Sequence, residues 1–153
     1  MTAGFFGAVY LDWRRSQRQR RSHLLALMRE ILSNNVRIRV LLKEGRRHGS
    51  LQESAWQQLR VPLAGELKAE VYNRIASRYD GLPQARQWYE QISTDEAEAP
   101  TAQASLHDWA DAMMEEQELL RAELGERDGL LRALRRRMRR ESQASINEAS
   151  RSP

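Results

Sequence analysis

From Ser105 to Arg140 one line of positions repeats at heptad spacing: Leu106, Ala110, Met113, Gln117, Leu120, Leu124, Arg127, Leu131, Leu134 and Met138. The steps alternate four and three, so on an α-helix these side chains form a single stripe along roughly 35 residues, about 50 Å. Eight of the ten are apolar, with Gln117 and Arg127 interrupting the seam. A helix this long cannot bury its stripe against itself. It folds back on the rest of the chain or pairs with a second copy. Ser105 with Asp108 three residues on predicts the start, as a capping box with Asp in the usual Glu place.

The rest of the chain points the same way. Only eight Gly and four Pro punctuate 153 residues, and 30% of the residues are charged. The expected fold is all-α, an elongated helical bundle closed by the long heptad-patterned helix. With no cysteine, disulfides and thiolate metal sites are excluded. Charge is strongly segregated: residues 1–50 carry a net +8, residues 51–89 +1, residues 90–128 −10 and residues 129–153 +5. Such alternation suits internal pairing or a charged partner. One pairing it predicts sets the acids of the long helix against Arg15, Arg18 and Arg29.

Residues 1–21 form an apolar and basic N-terminal segment. Ala3 to Leu11 is almost uninterrupted apolar sequence, with Phe5, Phe6 and Tyr10. Trp13 and five arginines follow: Arg14, Arg15, Arg18, Arg20 and Arg21. Apolar residues, then interfacial aromatics, then bases is the order found at the cytoplasmic end of a membrane anchor. Bases that come after the apolar part exclude a secretory signal. Thirteen residues of helix reach about 20 Å, short of the roughly 30 Å hydrocarbon core. Three readings stay open: an interfacial anchor, a spanning helix whose start lies upstream, or a helix end packed into the core.

Residues 22–93 predict a helical domain. Ser22 is the expected cap of a helix to Glu44, with Leu24, Met28, Ile31, Asn35, Ile38 and Leu42 as its seam. Asn35 is either a register-setting seam residue or a solvated edge. Gly45 to Gly49 predicts a stop and turn. A further helix is expected from Ser50 to Arg60. After Pro62 the four-step line Leu63, Leu67, Val71, Ile75, Tyr79 predicts another, to about Arg78, ended by Asp80-Gly81-Leu82-Pro83. A short helix from Pro83 to Ile92 follows. Residues 94–104 read as an acidic linker, and residues 141–153, Ser-rich, as a disordered tail.

Sites of chemistry are scarce. His23, His48 and His107 lie in three separate segments. His107 and Asp111, four apart, supply only two ligands, so no metal site is expected. Asp108, Asp111, Glu115 and Glu118 share a helix face that reads as solvated or arginine-paired rather than as acid–base machinery. No phosphate-cradling, dinucleotide or nucleophile motif occurs. The expectation is no catalysis, no cofactor and no small-molecule substrate. Arg132, Arg135, Arg136, Arg137, Arg139 and Arg140 form a second basic cluster, suited to nucleic-acid phosphates or anionic headgroups, or to solubilising a helix end. The tryptophans Trp13, Trp56, Trp88 and Trp109, one per segment, read as core anchors.

The leading apolar helix and Arg-rich flank, then Leu24-Leu25, Glu30-Ile31, Asn34-Asn35, Ala55-Trp56 and Tyr72 to Tyr79, are similar to small bacterial inner-membrane proteins of unknown function. The resemblance covers residues 4 to about 92. It implies a single N-terminal span followed by a cytoplasmic helical domain, and supplies no catalytic residues.

The reading is a non-catalytic helical interaction protein at the cytoplasmic face of a bacterial membrane, attached through its N-terminus. Its expected partners are an anionic membrane surface and a protein partner or second copy gripped through the heptad seams. The alternative is a basic nucleic-acid-associated helical protein using the two arginine clusters.

Overall fold

The computed structural model describes the backbone of residues 3–92 and 99–149, and the side chains of residues 8–92 and 100–125. Five helices account for the described chain, with no strand among those residues: α1 (Ala3–Glu44), α2 (Ser54–Glu66), α3 (Ala69–Asp80), α4 (Leu82–Gln91) and α5 (Ala99–Ala149). The all-α expectation holds. The chain divides into two compact units, residues 1–120 and residues 121–153, the second being the C-terminal length of α5.

Several boundaries move, each for a physical reason. No helix begins at Ser22, because α1 runs unbroken from Ala3. Residues 12–22 contain neither Gly nor Pro and are rich in Arg and Gln, so propagation wins over the cap that Ser22 could have offered. At the other end α1 stops where expected. Gly45 takes a left-handed φ of 67° and its N–H bonds the Leu41 carbonyl at 2.8 Å, which closes the last turn.

The helix expected at Ser50 starts instead at Ser54, because the preceding backbone is bound elsewhere. Asn34 exchanges two 2.7 Å bonds with the main chain of Gln52, donating to its carbonyl and accepting from its N–H. Arg37 donates to the Ser50 carbonyl, and Arg86 donates to Leu51 O from Nε at 3.1 Å and from Nη2 at 3.0 Å. Leu51 is thereby held in the core.

Pro62 does not start a helix; it lies inside α2. The break falls at Leu67 and Lys68, both extended. In a continuous helix the Glu66 carbonyl would accept the N–H four residues on. Here it accepts Arg20 Nε at 3.0 Å, and the chain turns. Even so, all of Leu63, Leu67, Val71, Ile75 and Tyr79 are buried. The end of α3 and the start of α4 fall as the Asp80–Pro83 signal predicts, joined through Gly81 alone.

Ser105 lies inside α5, not at its start. The helix begins at Ala99, with Pro100 in the first turn, where a missing N–H costs nothing. So residues 99–104 of the expected linker are helical, and residues 93–98 lie outside the described residues. The helix also extends through most of the expected disordered tail, to Ala149.

The core draws on every helix. Leu24, Leu27, Ile31, Ile38 and Leu41 of α1 meet Trp56 and Leu63 of α2, Ile75 and Tyr79 of α3, Leu82 and Tyr89 of α4, and Leu106, Met113 and Leu120 of α5. Trp56 stacks on Tyr79, with ring centres 5.1 Å apart and planes 12° apart, and tilts against Tyr72 at 5.6 Å. Two tryptophans do not anchor the core as expected: Trp88 is half-buried and Trp13 is exposed.

Candidate interaction surface

The expected α1 seam is half right. Leu24, Ile31, Asn35 and Ile38 are buried, but Met28 and Leu42 are half-buried, and the core line runs instead through Leu27, Asn34 and Leu41. The two heptad lines of the bundle face are therefore Arg20–Leu27–Asn34–Leu41 and Leu24–Ile31–Ile38. Followed toward the N-terminus, the first continues as Trp13 and the second as Gln17 and Tyr10. On α5, Leu106, Ala110, Met113, Gln117 and Leu120 are all buried, so up to Leu120 the predicted seam faces this chain's own core. Leu124 is half-buried, and the side chains of Leu131, Leu134 and Met138 lie outside the described residues, as do those of the basic cluster Arg132, Arg135, Arg136, Arg137, Arg139 and Arg140.

Most of the buried polar side chains on α1 are bound by several partners. Glu30, 6% exposed, accepts from Ala55 N at 2.6 Å, Trp56 N at 3.2 Å, Ser54 Oγ at 3.2 Å and Tyr79 Oη at 2.8 Å. It caps α2 from a neighbouring helix, placing a carboxylate at the positive end of the α2 dipole. Burial, with the Glu30 charge behind it, pushes the Tyr79 phenol far above its ordinary value, so it stays protonated and donates. With four donors on its two oxygens, Glu30 has no free lone pair for acid–base work. It is a structural clamp.

Asn35 is no solvated edge. It donates from Nδ2 to the Ala110 carbonyl at 2.7 Å and accepts from Arg39 Nε at 2.8 Å, and Arg39 reaches on to Asp111 at 2.8 Å. Among the described residues, three acids of α5, Asp111, Glu115 and Glu116, thus pair with arginines, and these are Arg39, Arg74 and Arg78 rather than Arg15, Arg18 or Arg29. Arg74 meets Glu115 at 3.0 Å, and Arg78 grips the buried Glu116 with Nε and Nη2. Burial raises the Glu116 carboxyl above its usual range, against the lowering pull of Arg78.

No three of His, Cys, Asp and Glu converge on a metal-sized site among the described residues. His107 and Asp111 stand 3.3 Å apart on the surface of α5, and His23 meets Glu66 at 3.0 Å. A cleft of about 350 Å³ borders the residue 45–53 strap. Its best placed cation, Arg86, is committed to Leu51 O and to Glu53 at 3.2 Å.

What remains open is the outside of α1. Seven of the eight exposed large apolar side chains among the described residues lie on this one helix: Val9, Tyr10, Leu11, Trp13, Leu25, Leu32 and Val36. From Ala8 to Gln19 no residue is buried. Tyr10 and Trp13 stack with centres 6.1 Å apart, and the Arg14 guanidinium lies 5.6 Å from the Tyr10 ring centre, a cation–π contact. Arg14, Arg15, Arg18 and Arg21 are exposed. Arg20, expected among them, is 4% exposed and bound to Glu66, because it occupies the bundle line. Phe5 and Phe6 lie on the helix, but their side chains are outside the described residues.

Sequence reasoning missed Glu30, Asn34 and Arg86, which hold the strap and α2. The signal for the first two was their position. Both fall between apolar core positions, where a solvated side chain has no room. No helix among the described residues is long and apolar enough to cross a membrane. No family model, curated protein or solved structure matches the chain.

Proposed function

We propose that the protein is a non-catalytic helical interaction module that docks on the cytoplasmic face of a bacterial membrane. The observation that carries this reading is the first exposed length of α1. There the core-facing stripe of the bundle continues into Tyr10 and Trp13, both exposed, beside four exposed arginines. Aromatic rings with one apolar and one polar edge are at home at the headgroup level. Arginines next to them gain from anionic headgroups, on the order of 1 kcal/mol each. An aromatic and basic helical segment of this kind is suited to lie in the interface plane.

The test is flotation of the full chain with vesicles of phosphatidylcholine, with and without phosphatidylglycerol. The chain floats with the anionic vesicles at low salt and is released as salt rises. Trp13→Glu and the joint substitution of Arg14, Arg15, Arg18 and Arg21 by Glu each abolish flotation while leaving the helical circular dichroism signal unchanged. A full chain that stays with the pellet on both lipids at low salt rejects the reading, and duplex RNA and DNA become the next ligands to test.

A further inference from the structure

At the end of α1 farthest from Tyr10, the strap of residues 45–53 forms one wall of the cleft of about 350 Å³, and α4 forms the other with Arg86, Tyr89 and Glu90. That volume falls within the range of about 300–1,000 Å³ usual for small-molecule sites. Such sites are largely formed before a ligand arrives, and the strap wall is well fixed. Gly45 and Gly49 hold left-handed φ values of 67° and 76°. Beyond Gly49 the main chain is tied down at three consecutive residues. The Ser50 carbonyl accepts from Arg37, the Leu51 carbonyl accepts Nε and Nη2 of Arg86, and Gln52 exchanges two bonds with Asn34.

Two groups at this wall keep capacity for a ligand. Tyr89 is 2% exposed, and its Oη accepts from the His48 N–H at 3.3 Å. A phenol also donates, and among the described residues no acceptor takes the Tyr89 proton. The hydroxyl stands beside the peptide that joins Arg47 to His48, and Arg47 lines the cleft. Arg86 is held by Leu51 and Glu53, whereas Arg47 is exposed and makes no ion pair among the described residues. A water satisfies the tyrosine alone. An oxyanion takes the tyrosine proton and the arginine charge together.

The rest of the lining narrows the kind of oxyanion. Leu51 and the Tyr89 ring are apolar walls, suited to a carbon body. Glu90 puts a negative charge on the same cleft, which opposes a doubly charged phosphate more than a singly charged carboxylate. We propose that the cleft beside the strap binds a small organic carboxylate, its oxygens between the Arg47 guanidinium and the Tyr89 hydroxyl and its carbon body against Leu51. The site is independent of the membrane reading, since about 50 Å of helix separates Tyr10 from Glu44 at 1.5 Å per residue.

The test is a titration of the ¹⁵N-labelled full chain at pH 7, followed through its backbone amides. Benzoate is the probe, benzamide its neutral counterpart and inorganic phosphate the anion without a carbon body. Benzoate shifts the amides of His48, Gly49 and Ser50 saturably, with a millimolar dissociation constant, and benzamide shifts none of them. Arg47→Gln weakens benzoate binding about tenfold or more and Tyr89→Phe about threefold, as expected for a charge-assisted and a neutral hydrogen bond. Arg47 has no partner to lose, so Arg47→Gln keeps the parent thermal melt and its effect is not one of folding. Shifts that fail to saturate, that are matched by benzamide, or that saturate equally in Arg47→Gln overturn the site. Phosphate binding tighter than benzoate overturns the assignment to a carboxylate. Flotation with vesicles is unchanged in Arg47→Gln, so the membrane reading stands or falls separately.

Discussion

The two halves of α1 share one helix, one heptad pattern and one direction, yet the bundle buries only the second. From Arg20 to Leu41 the core-facing lines are covered, and their polar members Arg20 and Asn34, like the neighbouring buried Asn35, find partners. From Ala8 to Gln19 the same lines carry Tyr10 and Trp13 into solvent. Large aromatic side chains on a stripe are therefore no guide to burial by themselves. What decides is whether another element reaches that height, and α2 ends level with Arg20 and His23, at Glu66. An apolar stripe that outlasts the helix it packs on stays exposed and marks a docking place.

The comparison breaks most sharply at Glu30. Glu30→Ala strips the partner from two backbone N–H groups at the start of α2, from Ser54 and from the Tyr79 hydroxyl, all in or near the core. We expect a loss of about 3–5 kcal/mol in urea unfolding, given that each buried donor left unpaired costs about 1–3 kcal/mol. Tyr79→Phe, which removes a donor and leaves Glu30 its other three, should cost no more than about 1–2 kcal/mol. If Glu30→Ala were as mild as Tyr79→Phe, the clamp would not be what starts α2.

Next in size is the contrast within a single heptad line. Leu27→Ala opens a cavity at a fully buried position and should cost about 2–5 kcal/mol. Trp13→Ala, fourteen residues up the same line, should stay within about 0.5 kcal/mol, because its ring is already wet. Equal losses at the two sites would mean that the N-terminal turns are packed after all, and the membrane reading would lose its uncovered stripe.

How much of this could be read from residues alone depends on where the competing interactions come from. The positions Leu63, Leu67, Val71, Ile75 and Tyr79 were legible as one buried set, since apolar periodicity is local. The corner between Leu67 and Lys68 was not, because it depends on Arg20, more than forty residues away, taking the Glu66 carbonyl. The start of α2 was hidden for the same reason, with Asn34 and Arg86 binding the strap. The α5 seam from Leu106 to Leu120 was read correctly as buried, but repeat spacing alone could not say whether the partner was this chain or another. The exposed arginines were visible in sequence, whereas the exclusion of Arg20 from them needed the packed structure.

Gln117 sharpens the same seam in the opposite direction. It sits among Met113 and Leu120 at 6% exposure, and its Oε1 has no hydrogen-bond partner. Gln117→Leu should therefore raise stability by about 1 kcal/mol, since it removes a buried acceptor that nothing satisfies. A loss instead would show that the amide makes a contact through water.

The smallest effect expected is a pH dependence at Glu116. Its folded-state carboxyl is raised by burial, more than Arg78 lowers it. Below the ordinary carboxylate range both folded and unfolded chains hold the proton, and Glu116 adds no slope. As pH rises past that range the unfolded chain releases its proton first, so the folded state binds more and its stability falls, until the folded value is passed and the loss is complete. Glu116→Gln removes that slope. The difference in unfolding free energy between the variant and the parent chain, followed from acid to neutral pH, should thus drift in favour of the variant as pH rises. Asp111 and Glu115 sit in exposed pairs with Arg39 and Arg74 and are common to both chains, so they cancel in the difference. A drift of the opposite sign would mean that the Arg78 fork outweighs burial, making the α3–α5 pair a source of stability at neutral pH.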